Sequence, residues 1–197
     1  MKVLRFLKNN KQFTVFLLLA LAIAAIAVFA PWIAPRDPYD AVMSDSLKEP
    51  GSTYVWGTDK LGRDVLSRVI YGTRSSLTMT LCLVAVIFVV GTALGILAGY
   101  FGGAVDAVIM RIADMMISFP GLVLAIAIAG LLGPNMVNAV IAISAVSWTK
   151  YARLARSMVL KIKQNLYIDA AVVTGTKRGS IIMKYVIPNM ITTVVVT

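Results

Sequence analysis

The chain has 197 residues, of which 59% are hydrophobic and 14% are charged, and its mean hydropathy is +0.84. A soluble domain is about 45–50% apolar and about 25% charged, so this composition argues against a water-soluble globular protein. The 19 Lys and Arg side chains exceed the 9 Asp and Glu side chains, giving a net charge of +10 without histidine. The charges lie between long apolar runs, which favours a membrane surface over nucleic acid as the partner. With one cysteine, Cys82, no disulfide can form within the chain.

Three long stretches contain no charged residue: Gln12–Ala34, Ser75–Val105 and Met115–Thr149. At a rise of about 1.5 Å per residue, even the shortest stretch is long enough to cross a hydrocarbon core of about 30 Å as a helix. The turn residues Gly133-Pro134-Asn135 divide the third stretch into two predicted spans. Pro120 predicts a kink near the inner end of the first of these two spans.

The first stretch follows four basic residues and therefore resembles a secretory signal peptide. Its apolar run exceeds the about 7–15 residues of a signal core, and Pro31 would directly follow a cleavage site at Val28-Phe29-Ala30. We therefore predict an uncleaved transmembrane helix over residues 12–34, preceded by a cytoplasmic N-terminus at residues 1–11. A further apolar segment begins after Pro188 and covers Asn189 to Thr197. We interpret it as a fifth span that is cut, and we therefore expect the chain to be a fragment.

The distribution of Lys and Arg predicts the orientation of the chain in the membrane. Four basic residues precede the first stretch and eight lie from Lys150 onward, where Asp169 is the one acidic residue. The loop at residues 35–74 carries six residues of each sign and is neutral. Basic loops remain in the cytoplasm. The N-terminus and the region after Lys150 are therefore predicted to be cytoplasmic, and loop 35–74 is predicted to be external.

Gly91, Gly95 and Gly99 recur at intervals of four residues in the second stretch. Small residues at this spacing lie on one face of a helix and let a neighbouring helix approach closely. The spacing therefore predicts a packing seam rather than a ligand site.

The segment at residues 150–188 combines basic, small and apolar positions. Ala170 and Ala171 form a small patch on a predicted helix, and Gly175 suits the C-terminus of that helix. A second amphipathic helix is predicted over residues 180–186, and Pro188 is predicted to end it. Such a hairpin suits insertion into the groove of a partner protein, while a pair of basic helices held by anionic lipid is the alternative. The apolar positions of the second helix are Ile181, Ile182 and Tyr185.

This segment resembles the EAA loop of ABC-transporter membrane subunits. That pattern begins Glu-Ala-Ala, has Gly four residues after the second Ala, and ends in Leu-Pro or a similar pair. In this chain Asp169 replaces the Glu and Ile187 precedes the proline. The resemblance implies a cytoplasmic coupling loop over residues 150–188 that docks onto an ATPase. The docking residues it implies are Asp169, Ala170, Ala171, Gly175 and Pro188.

A second motif lies in loop 35–74, where Trp56-Gly57-Thr58-Asp59 is followed by Leu61-Gly62-Arg63-Asp64 and then by Ser67-Arg68. It resembles the C-type permease subunit of dipeptide, oligopeptide and nickel importers, and the resemblance extends from the first span to Thr197. The external-loop residues of this motif are Gly57, Thr58, Asp59, Gly62, Arg63 and Asp64. Other matching positions are Asp106, Arg111, Asp114, Phe119-Pro120 and the run from Trp148 to Arg153.

The resemblance implies an all-α integral membrane protein of the bacterial cytoplasmic membrane, with a MetI-like ABC permease fold. About five of six transmembrane helices would be present, and residues 75–197 would form the permease domain. The implied partners are a second homologous permease, two cytoplasmic ATPase subunits, an external substrate-binding protein and membrane lipid, with no nucleic acid. The chain lacks a Gly-rich loop ending in Gly-Lys-Ser or Gly-Lys-Thr, so ATP would be used by the partners. We accordingly assign no catalytic, cofactor or metal site and predict that the chain is not an enzyme.

The family resemblance favours peptides as cargo, with nickel or another small solute as the alternative. An ATP-independent channel or a secondary transporter is a rival class, but it would usually place ionisable residues inside the membrane. The three charge-free stretches contain none. A membrane-anchored enzyme would need a soluble domain, and loop 35–74 is too small to bury an independent core.

Overall fold

The structure, a computed structural model, describes residues 10–190. The basic residues before residue 10 and the predicted fifth span after Met190 lie outside the described residues. Within residues 10–190 the regular elements are helical and no β-strand forms, which agrees with the predicted all-α fold. The chain divides into two compact units, Met1–Thr80 and Leu81–Thr197.

Helix α1, Lys11–Ile33, is apolar around its whole circumference, and its buried residues are Ala27 and Ala30. A helix that is apolar on every side suits a lipid environment rather than a single protein contact. It ends where Ala34 becomes extended, because Pro35 follows and disfavours the helical conformation of the preceding residue. A loop containing a 3₁₀ turn at Met43–Asp45 then leads to the next helix.

Helix α2, Val65–Phe101, is followed by α3, Gly103–Ser118, and α4, Gly121–Leu132. By length and apolar composition, α1 and α2 each qualify to cross a membrane, and α3 with α4 makes a third crossing if the pair counts as one broken span. The two halves of that pair meet at 94°. The predicted kink at Pro120 is confirmed, and it is a full break because Phe119 is extended and proline restricts the residue before it.

The turn predicted at Gly133-Pro134-Asn135 is confirmed and leads to α5, Met136–Lys163. The side chain of Asn135 caps α5 by accepting the backbone N–H of Val137 at 2.9 Å. Asn138 Nδ2 donates to the carbonyl oxygen of Leu132 at 2.7 Å. These contacts close the turn, and α4 packs on α5.

The glycine seam of α2 lies directly against α5. A Cβ atom on Gly95 would stand 2.3 Å from the carbonyl oxygen of Ala152, and the positions of Gly91 and Gly99 are also closed by α5. Real Cβ atoms do not approach a backbone atom so closely, so only glycine permits this separation of the two helices. The predicted packing seam is confirmed.

The described part of the chain ends in a hairpin of two helical arms. Its first arm is α6, Leu166–Val173, and its second arm is α7, Arg178–Ile181, which continues as a π-turn at Ile182–Val186 and as helix over residues 187–190. We call residues 166–190 the docking hairpin, after the predicted docking residues that it contains. The prediction that Pro188 ends the second arm is wrong. The wide turn before the proline does not have the i−4 hydrogen-bond pattern that proline breaks in an α-helix, so the helix continues.

Candidate functional site

The docking hairpin is fixed to the end of α5 by an apolar core. Ile168 and Ala171 of α6 are buried beside Val159 and Ile162 of α5, and Ile181 of the second arm joins the same cluster. Because both arms share this core with α5, the hairpin and α5 form one packed body. The position of α6 is therefore fixed relative to α5 by buried contacts.

The opposite face of α6 is apolar and uncovered. Leu166 is 84% exposed and Val173 is 86% exposed, and the exposed Ala170 lies between them. Intervals of four and three residues place these three side chains on one helix face. Sequence reasoning missed Leu166 and Val173, although their separation by seven residues was a readable signal of a shared face. We call Leu166, Ala170 and Val173 the α6 face.

The structure separates the five predicted docking residues into different roles. Asp169 and Ala170 are exposed on α6, whereas Ala171 is buried under it. Gly175 is exposed in the turn, and Pro188 is exposed in the second arm. Ala171 therefore packs the core, and the exposed surface of α6 includes Asp169 and the α6 face.

Gly175 gives α6 its sharp end. Its N–H donates to the carbonyl of Val172 at 3.0 Å, and the N–H of Thr176 donates to the carbonyl of Ala171 at 3.0 Å. This pair of hydrogen bonds is a Schellman motif, which needs a residue with positive φ at the position of Gly175. The observed φ is 75°, so the glycine predicted at the helix terminus has a backbone role.

Two ion pairs connect α3 with α5. Arg156 binds Asp106 with both Nε and Nη2, at 2.5 and 2.6 Å from the two carboxylate oxygens, and Arg153 pairs with Asp114. Bidentate pairing of this kind fixes orientation as well as distance. Arg111, which the family resemblance also singled out, is exposed and forms no ion pair within residues 10–190.

Two glycines of the external-loop motif allow close packing within the loop. A Cβ on Gly62 would lie 1.8 Å from the carbonyl oxygen of Val42, and one on Gly57 would lie 2.4 Å from that of Lys48. Gly62 also has a φ of 74°, which an L side chain rarely adopts. The two glycines therefore allow the motif to lie directly on residues 42–48.

Asp59 organises the turn of this motif. Its carboxylate accepts the backbone N–H groups of Leu61 and Arg63 at 2.8 and 3.1 Å and the Nε–H of Arg63 at 2.9 Å. Arg68 pairs with the same carboxylate. The Arg63 guanidinium holds the pKa of Asp59 well below its usual range.

Thr58 and Asp64 complete the scaffold. The Thr58 hydroxyl accepts the Lys48 N–H at 2.8 Å. Asp64 caps α2 by accepting the N–H and the hydroxyl of Ser67 at 2.8 and 2.5 Å. The Ser67 oxygen in turn accepts the N–H of Arg36 at 3.0 Å. The structure therefore brings all six predicted loop residues into one hydrogen-bonded scaffold.

The Asp59 network predicts a pH dependence of the loop. Because the folded pKa of Asp59 is depressed, its contribution to stability is present above its unfolded value of about 4 and is lost as the pH falls through the lower folded value. Pepsin cleavage of the membrane-reconstituted permease within residues 35–64 should rise as the pH is lowered from about 5 to 2. Asp59→Asn should already be cleaved at the upper end of this range. Identical profiles for the two proteins would contradict the role given to Asp59.

Two family models match the chain. Residues 91–197 match the binding-protein-dependent transport system inner membrane component, and residues 2–50 match the N-terminal transmembrane domain of oligopeptide transport permease C. The first match alone covers more than half of the chain and includes α3, α5 and the docking hairpin.

Curated relatives agree with these models. The dipeptide transport system permease protein DppC of Alkalihalophilus pseudofirmus is 38% identical over 96% of this chain and 62% of its own length. The probable D,D-dipeptide transport system permease protein DdpC of Escherichia coli is 40% identical over 86% of this chain and 57% of its own length. The glutathione transport system permease protein GsiD of Pectobacterium atrosepticum is 39% identical over 98% of this chain and 64% of its own length.

The chain therefore spans about three fifths of the length of these relatives. Its helical architecture, its apolar membrane-length helices and both family matches lead to one assignment. The chain belongs to the family of binding-protein-dependent transport system inner membrane components, the permease subunits of ABC transporters.

Proposed function

We propose that this chain is a membrane-spanning subunit of an ATP-binding-cassette importer that carries peptides across the bacterial cytoplasmic membrane. The observation that carries the proposal is the identity of 38–40% to permeases named for dipeptides, D,D-dipeptides and glutathione. All three named substrates are peptides, which favours peptides over nickel complexes as the cargo. In this proposal the chain carries out no covalent chemistry during transport, because ATP is hydrolysed by partner subunits.

The proposed orientation places the N-terminus and the docking hairpin in the cytoplasm and the loop at residues 35–74 outside. Its support is the charge distribution, since the region from Lys150 onward is strongly basic and the external loop is neutral. The proposed partners are a second permease, two ATPase subunits, a substrate-binding protein that meets the external side, and membrane lipid.

We place the contact with the ATPase on the α6 face. Leu166 and Val173 present apolar surface that would enter a groove of the partner, and Asp169 at the edge of this surface supplies one charge for orientation. Burial of a Leu or Val side chain contributes about 1.5–3 kcal/mol, so these two anchors would supply a substantial part of the docking energy.

Coupling between ATP and transport is then mechanical. Closure of the ATPase subunits displaces α6, and the buried contacts of Ile168 and Ala171 move α5 with it. The ion pairs from Arg153 and Arg156 carry the displacement to α3. Rocking of these helices changes the side of the membrane to which the substrate path opens.

Reconstitution of the full-length permease with its partners in proteoliposomes tests the function. We expect uptake of a labelled dipeptide that requires both external binding protein and ATP on the ATPase side. Uptake that proceeds without ATP would favour a channel or secondary transporter. Uptake of a nickel chelate without uptake of any peptide would reassign the cargo and leave the ABC assignment in place.

A further inference from the structure

A small cationic pocket opens where the external loop meets the start of α2. Its volume is about 150 Å³. The scaffold around Asp59 forms one wall, and the first turns of α2 form the other. We call it the arginine pocket. Its lining residues are Pro38, Tyr39, Arg63, Arg68, Tyr71, Gly72 and Ser75.

Two arginines of this pocket share a single carboxylate, so one positive charge is left over. Arg63 contacts Asp59 Oδ2 through Nε at 2.9 Å and Nη2 at 2.8 Å, and Arg68 uses Nη1 for the same oxygen. A guanidinium has five N–H donors. The Nη1 group of Arg63 and the Nε and Nη2 groups of Arg68 have no hydrogen-bond partner in the described part of the chain.

Two hydroxyl groups at the pocket add uncommitted donors. Tyr71 and Ser75 are among the lining residues, and neither hydroxyl forms a hydrogen bond within residues 10–190. Guanidinium and hydroxyl groups around one small space can bind an oxyanion, and a planar carboxylate fits the geometry of an arginine fork.

The size of the pocket decides between a small-molecule substrate and a protein side chain. Sites that enclose small-molecule ligands occupy about 300–1,000 Å³, which is well above the 150 Å³ found here. One Asp or Glu side chain is of suitable size, whereas a peptide substrate is not. Arg and Tyr are also the residues that dominate the binding energy at the centre of protein interfaces.

We propose that the arginine pocket receives an Asp or Glu side chain of the substrate-binding protein and anchors that protein on the permease. The inference rests on the proposed function, which places this loop outside the membrane. The scaffold residues Gly57, Gly62 and Asp64 hold the pocket open before the partner arrives, so little conformational entropy is lost on docking.

The test compares the neutralisation of Arg68, in the first turn of α2, with that of Lys60 in the preceding loop. Arg68→Gln removes a pocket donor, whereas Lys60→Gln removes the same charge from an exposed side chain that lies outside the pocket lining. Binding of the transporter's own substrate-binding protein to the full-length permease complex in nanodiscs is measured at low and moderate salt. We expect Arg68→Gln to weaken binding about tenfold or more and to reduce its salt dependence, and Lys60→Gln to change it by less than about threefold.

A second variant separates loss of docking from loss of the scaffold, because Arg68 also touches Asp59. Tyr71→Phe removes one hydroxyl and leaves both arginines with their carboxylate, and it should weaken binding about threefold to tenfold. Wild-type affinity in both pocket variants, or equal losses in Arg68→Gln and Lys60→Gln, would overturn the inference while the proposed function stands. Competition by free dipeptide for the empty pocket would also overturn it. Failure of the wild-type complex to bind the protein at all would count against the proposed function itself.

Discussion

Replacing Val173 with glutamate is expected to weaken the association of the permease with its ATPase subunits by at least about tenfold and to abolish ATP-driven uptake. Val173 is 86% exposed on the α6 face, so the substitution does not disturb the core of the free permease. Docking would bury the new carboxylate in an apolar groove without a partner charge. Copurification of the ATPase subunits with the full-length permease measures the effect.

Met183→Glu is the matched control, since Met183 is an apolar residue of the second arm with 65% of its surface exposed. This variant should retain the ATPase subunits. Equal loss in both variants would contradict the assignment of docking to the α6 face, and retention in both would identify the hairpin as a lipid-facing element.

Replacing Gly95 with valine is expected to destabilise the permease by about 3 kcal/mol or more, because overpacking of a close-packed contact costs about 1–3 kcal/mol and here the clash is with backbone. The Cβ would lie 2.3 Å from the carbonyl oxygen of Ala152, and the branched side chain adds two further methyl groups. The two helices must separate to admit it. The melting temperature in detergent should fall by about 2–4 °C for each kcal/mol.

Gly130→Val provides the comparison, because a Cβ at Gly130 meets no atom within 4 Å. Its melting temperature should stay close to that of the wild type. An unchanged melting temperature in Gly95→Val would mean that α2 and α5 are not held together by this seam.

Features set by local spacing were predictable from the sequence. The charge-free stretches predicted apolar helices, the four-residue glycine interval predicted the seam with α5, and Gly175 predicted the end of α6. Each of these depends on residues within a few helical turns, where a period or a single backbone preference determines the result.

Features that depend on contacts between distant parts of the chain could not be predicted from the sequence. Arg156 meets Asp106 across 50 residues, and no local pattern selects this partner. The distinction between buried Ala171 and exposed Ala170 depends on how α6 is rotated against α5. The external motif was recognised as a unit, but its role as a scaffold follows only from contacts with residues 42–48.

Pro188 shows why the second arm was mispredicted. Proline terminates an α-helix because it lacks the N–H that the i−4 carbonyl requires. In the wide turn the hydrogen bonds run to different partners, and the side chain of Asn189 takes up the carbonyl of Tyr185 at 2.7 Å. A π-turn has no simple sequence signature, so the rule for α-helices gave the wrong result.

The same π-turn determines which side chains of the second arm face the core. Ile181, Val186 and Met190 are all buried, yet the first two are five residues apart, which in an α-helix of 3.6 residues per turn would point them in clearly different directions. The additional residue in the turn compensates for this difference and returns Val186 and Met190 to the core. Deletion of one residue from the π-turn would leave the second arm helical. It would rotate every following side chain about the helix axis by about 100°. The packing of Val186 and Met190 in the core therefore depends on the residue that the π-turn adds.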